Sequence, residues 1–179
     1  MTWVDTGLLL IRLSLGVTLL MHGWNHWRGG GKITGTAGWF ESLGLRPGRM
    51  QAWASVITEL AAGLGLIVGL LTPLAAAAVI GTMAVAFVVA HRPNGFFVFR
   101  DGYEYVLMIA VVTNALATMG PGYLSLDHAL GIEITGLAGI LIAVLAGLGG
   151  TTALLVATWR PNAVKAAAAA ATTVPVAAE

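Results

Sequence analysis

The sequence predicts an all-α integral membrane protein, a helix bundle that crosses the bilayer several times. Three observations carry this. Of 179 residues, 58% are hydrophobic and only 9% are charged, against about 25% charged in soluble domains. So few charges leave a water-facing surface uncovered, so lipid must face much of the chain. Five apolar runs each approach the ~20 residues needed to cross a bilayer. Finally, Arg12, His22, Glu59 and Glu104 lie inside those runs or at their ends. A charge near the bilayer centre costs at least about 2.5–3.5 kcal/mol, so such groups turn to a bundle interior and find partners there.

Composition also excludes whole classes of function. A net charge of +1 gives no reason to expect a nucleic-acid partner. Cysteine is absent, which removes thiol catalysis, disulfide relay and cysteine-held zinc or iron–sulfur clusters.

Taken in order, the first span is expected from about Asp5 to Trp24, interrupted by Arg12 and His22. MTWVDTG lacks the basic n-region of a secretory signal and reads as the start of that span. A glycine-rich basic loop follows, in which Trp39, Phe40, Leu43 and Leu45 suggest a short interfacial helix ended by Pro47-Gly48. Span two covers about Met50 to Leu71, with Glu59 near its middle. Thr72-Pro73 is a very short connection, since proline suits the first turn of a helix, and span three runs from Leu74 to about His91. Pro93 and Asn94-Gly95 break the helix, and Phe96, Phe97 and Phe99 are interfacial aromatics. Span four is expected from Asp101 to Met119, stopped by Gly120-Pro121-Gly122. Ser125 caps a short amphipathic helix, SLDHALGIEI, outside the membrane. Span five runs from Gly136 to Trp159, and the Ala-rich remainder reads as a disordered or frayed tail.

With five spans, Arg28, Lys32, Arg46, Arg49, Arg92, Arg100, Arg160 and Lys165 fall on one side. The positive-inside rule then puts the N-terminus outside and the C-terminus in the cytoplasm. Counting the helical rise from that boundary, Arg12 lies roughly 18 Å deep and Glu59 roughly 12 Å. They are the obvious pair. His22, His91 and Glu104 lie within roughly 5 Å of the boundary on three spans. These five groups are expected to converge on one cavity.

Several chemistries suit such a cavity. Glu59, Glu104 and His22 are candidate catalytic residues exchanging protons with a quinone head group. Arg12, His22, His91 and Glu104 are candidate binding residues. A metal held by His22, His91 and Glu104, a proton or solute path and a purely structural Arg12–Glu59 pair remain open beside it. The H-x3-H spacing of His22 and His26 is weak, because Gly23, Trp24 and the expected helix end intervene, and no metal site is assigned. Ser125, Asp127 and His128 are too close in sequence to form a catalytic triad by themselves. Gly29-Gly30-Gly31 follows a helix rather than a strand, so it is no phosphate loop. The small-residue faces Ala61, Gly65, Gly69 and Gly136, Gly139, Gly147, Gly150 are expected to pack helices closely.

The pattern as a whole resembles the DoxX family of small bacterial membrane proteins. The resemblance rests on Arg12 and Gly16, His22-Gly23, Gly35, Phe40 and Leu43-Gly44-Leu45. It continues through Glu59-Leu60, Gly63, the stretch Gly69 to Pro73, Met83, His91 and Asn94-Gly95-Phe96-Phe97. Gly102 to Glu104-Tyr105, Gly120-Pro121-Gly122 and Ser125-Leu126-Asp127 complete it, over roughly residues 7–130. It implies a four-helix core over 1–130, to which 131–160 adds a fifth transmembrane helix and 161–179 a cytoplasmic tail. It also implies the bacterial inner membrane. The family is named for association with thiosulfate:quinone oxidoreductase and linked to membrane redox and oxidative-stress assemblies. The implied function is a quinone-linked component or accessory subunit, with quinone as the candidate cofactor and a redox enzyme as the candidate partner. The alternatives are a scaffold that recruits such an enzyme, or a small-solute or proton transporter. Where the family often has a lysine after the His-Gly motif, this chain has His26. The fifth span offers a surface for a partner or for self-association.

Overall fold

The computed structural model describes residues 1–161. The Ala-rich tail from residue 162, with Lys165, lies outside the described residues. The described chain is an α-helical bundle whose one extended feature is an isolated bridge between Leu45 and Trp159.

Helix α1 runs from Trp3 to Arg28, opened by a capping box in which Thr2 and Asp5 satisfy each other's backbone N–H groups. It continues a turn beyond the expected end at Trp24, so His26 sits on the helix rather than in a loop. Helix α2, Lys32–Ser42, is the expected short helix. Helices α3, Gly48–Val68, and α4, Thr72–Ala86, form an antiparallel hairpin. Gly69, at a φ of 67°, ends α3 in a left-handed turn that a side chain would strain. Leu70 N–H returns to Gly65 O and Gly69 N–H to Leu66 O, the double closure of a Schellman motif.

Pro93 has no N–H to give back to Val89, and the turn before it widens. Phe87–His91 is π-helical, with Arg92 N–H bonded to Phe87 O. Helix α5 begins at Glu104 rather than Asp101 and ends at Met119. The residues before it fold into a loop, in which Gly95 O and Phe96 O accept from Tyr103 and Glu104. Its 16 residues span roughly 24 Å. The amphipathic helix expected after Ser125 is a single turn, α6, Leu126–Ala129. Helix α7 runs from Gly136 to Thr158. Four helices (α1, α3, α4 with its extension to Asn94, and α7) are long and apolar enough to cross a membrane, and α5 is a shorter apolar helix.

Two helix pairs pack most closely, α1 with α3 and α4 with α7. In the first, a Cβ on Gly16 would come within 2.7 Å of Gly63 O, and one on Gly63 within 2.7 Å of Gly16 O. Small residues let the two backbones touch. This contact runs through Gly63, whereas Ala61 of the expected face is exposed. In the second, a Cβ on Gly147 would meet Ala77 O at 2.7 Å, and Thr151 donates to Gly81 O at 3.0 Å. Thr151→Val keeps the shape and removes that bond. It is expected to cost about 0.6 kcal/mol, the usual worth of an interhelical hydrogen bond in a membrane, measured by unfolding in mixed micelles. Leu8, Leu15 and Leu19 of α1, Leu66 of α3, Val79 of α4 and Leu116 of α5 fill the core between them.

One end of the bundle is clasped shut by residues 120–133. Asp127, 1% exposed, accepts from Leu71 N–H at 2.6 Å and Thr72 N–H at 2.8 Å, while its own N–H donates to Gly69 O at 2.8 Å. Arg12 is fully buried here, donates to Leu124 O, and lies where a side chain on Gly69 would go.

Candidate functional site

At the opposite end the hairpin opens. Helix α4 is largely buried from Thr72 to Ile80, then every residue from Gly81 to His91 is half-exposed. A cavity of about 380 Å³ lies there, walled by α3, α4 with its π-helical turn, and α7, and covered by α2 and the strap after it. Its volume falls within the ~300–1,000 Å³ of small-molecule sites.

The polar wall comes from α3. Gln51, Ser55 and Glu59 recur every four residues, which puts them on one helix face, and all three line the cavity. Glu59 is 3% exposed. Its Oε1 accepts from Ser55 Oγ at 2.7 Å, and its Oε2 has no protein partner. Opposite stands His26, with Nε2 3.7 Å from Glu59 Oε1. Its ring lies parallel to Trp39 at 5.9 Å between centroids and tilted against Phe40 at 5.7 Å. Gly23, one turn earlier, brings the helices together, since a Cβ there would come within 3.2 Å of Glu59 Cβ.

His91 lines the wall from the π-helical turn. Its Nδ1 lies 2.7 Å from Asp101 O. A carbonyl only accepts, so Nδ1 carries the hydrogen and Nε2 of the neutral ring is left with a lone pair.

Helix α7 contributes Gly147, Gly150, Thr151 and Leu154 to the wall. Its end is tied to the strap: Trp159 Nε1 donates to Leu43 O at 2.9 Å, Arg160 N–H to Gly44 O at 2.7 Å, and Arg46 N–H to Thr158 O at 3.0 Å. Helix α7 therefore forms part of the cavity wall.

Of the five groups expected to converge, the structure brings two to the cavity, Glu59 and His91. The expected Arg12–Glu59 pair does not form, because the two groups face opposite ends. Arg12 is fourteen residues before His26, roughly 21 Å along α1. His22 is exposed and stacks on Tyr105 with ring centroids 6.5 Å apart. Glu104 accepts from Val98 N–H at 3.0 Å and so holds the loop before α5. Among the described residues no group of three or more His, Asp or Glu is arranged to hold a metal. His22 and His26 turn to different neighbours, Tyr105 and the Glu59–Trp39 pocket. Sequence reasoning missed His26 as Glu59's neighbour, and also Gln51 and Ser55. The four-residue spacing of Gln51, Ser55 and Glu59 was the signal that pointed to them.

A bundle of apolar helices with a polar-walled cavity at one end is a multi-pass membrane protein. The DoxX family model matches residues 7–92, which carry His26, Glu59 and His91, and this match supports membership of that family. Comparison with curated proteins and with solved structures gave no match.

Proposed function

We propose that the chain is a quinone-linked redox component of a bacterial inner-membrane assembly, and that the cavity receives the quinone head group. The observation that carries this is the buried, unpartnered Oε2 of Glu59, a residue that lines a largely apolar cavity. A buried polar atom without a partner is costly, and ligand sites are where such atoms persist. A carboxyl group donates a hydrogen bond when protonated and accepts one when ionised. It thus serves both a quinone carbonyl and a hydroquinone hydroxyl. The aromatic surface of Trp39 and Phe40 beside His26 suits a flat ring.

A bound quinone supplies two-electron, two-proton redox chemistry. Glu59 takes or gives a proton at Oε2, and His91 accepts one at Nε2. Ser55 keeps the Glu59 carboxyl oriented through Oε1. The electrons of a bound quinone would be exchanged with a partner oxidoreductase, which gives the chain the part of a subunit rather than an autonomous enzyme. Arg28, Lys32, Arg46, Arg92, Arg100 and Arg160 cluster with the loops at the cavity end, which supports a cytoplasmic position for that end.

The test is direct binding. A short-chain quinone titrated into the purified protein is expected to quench Trp39 fluorescence saturably, and Trp39→Phe to remove that part of the signal. Absence of saturable quenching, together with no binding by calorimetry, would remove the quinone from the cavity.

A further inference from the structure

A carboxyl that is 3% exposed has little direct contact with water, so a polar neighbour offers it a route for proton exchange. Glu59 has two. Ser55 donates to it and leads along α3 to Gln51, whose buried amide does not titrate. His26 stands on the other side, with Nε2 3.7 Å from Oε1 and a side chain 17% exposed, against 4% for that of Glu59. We propose that His26 is the relay through which Glu59 exchanges protons with water.

Protonated Glu59 gives its proton to His26 Nε2, leaving a carboxylate and an imidazolium, and the imidazolium releases its Nδ1 proton to water. The reverse order reloads the carboxyl. Because 3.7 Å exceeds hydrogen-bond length, transfer takes a small swing of the ring or one interposed water. The ring is held for this. Trp39 and Phe40 fix its plane, and Thr36 Oγ1 donates to His26 O at 2.8 Å, tying α2 to the end of α1. The ionisable groups around it are few. Glu59 faces it from α3, α2 presents the rings of Trp39 and Phe40, and on α1 His22 is one turn away against Tyr105. Arg28, two residues on, lies over Trp27.

The inference rests on the proton exchange assigned to Glu59, and not on the identity of the ligand. Infrared spectroscopy of the full chain in lipid nanodiscs tests it without any quinone. The carboxyl C=O band that Glu59→Gln removes is followed as the buffer is switched to D2O. In His26→Ala its shift is expected to slow by about 10²-fold, the range of positioned acid–base groups, and imidazole in the buffer to restore the rate. Should His26→Ala fail to fold, His26→Gln fills the same space between Trp39 and Phe40 and is expected to slow the shift likewise. An unchanged rate in the folded variants overturns the relay, as does a wild-type protein with no band of Glu59. A protein that exchanges protons as described yet binds no quinone overturns the ligand and leaves the relay standing.

Discussion

Asp127→Ala is expected to destabilise the solubilised protein by about 3–6 kcal/mol, the loss of two charge-assisted hydrogen bonds at about 1.5–3 kcal/mol each. Its two oxygens take Leu71 N–H and Thr72 N–H, the donors at the start of α4 that no helical carbonyl reaches. Thr72 is fully buried, so water cannot replace the carboxylate there. Leu71 is also held at a φ of 48°, a left-handed conformation that a leucine adopts at a cost of about 1–2 kcal/mol, so removing its partner loosens the turn itself. Arg12 is coupled to the same corner, packed against Gly69 and bonded to Leu124 O. Asp127→Asn keeps one acceptor and should lose roughly half as much. Reversible unfolding in mixed micelles measures both. Equal losses in the two variants, or a loss below about 1 kcal/mol in Asp127→Ala, would show that the carboxylate does not hold the clasp.

This corner also explains what the sequence could and could not disclose. Each long helix was legible because length and hydropathy are local properties, and Pro73 marked the hairpin by its backbone preference alone; Gly69, read as part of a packing face, instead ends α3 in a left-handed turn. The start of α5 was misplaced because Asp101 and Tyr103 are compatible with a helix. Pairing within the loop, with Glu104 accepting from Val98 N–H, decided otherwise. Arg12 and Glu59 were matched by depth and opposite sign, the only information a linear chain offers about partners. Two facts of tertiary structure defeated that match. The segment after Gly120 folds back under the bundle and supplies Leu124 O and Asp127 at the Arg12 end. And α1 continues past Gly23, which carries His26 to Glu59. His22 drew attention as the histidine beside a glycine. Yet Gly23 is the residue that matters for packing, and the histidine one turn later reaches the carboxyl.

Glu59→Gln is expected to separate binding from chemistry. The amide still donates to a carbonyl and accepts from a hydroxyl, and it still offers an oxygen to Ser55, so quinone affinity should stay within about tenfold, or 1.4 kcal/mol. What the amide cannot do is take a proton. Hydroquinone-driven reduction of a soluble electron acceptor by native membranes should therefore fall by about 10²–10⁴-fold, the usual contribution of a positioned acid–base group. Gln51→Ala, eight residues earlier on the same face of α3, changes the cavity's polarity without touching a proton carrier. It should shift affinity more than rate. A Glu59→Gln variant that binds quinone and retains its full rate would take Glu59 out of the chemistry. If the redox partner also stayed bound, the cavity's contribution would be to hold an assembly together, which is what a recruiting scaffold requires. A variant that loses both binding and rate would instead point to a carboxylate needed for the shape of the pocket, and the infrared band of Glu59 would then show whether it ever carried a proton.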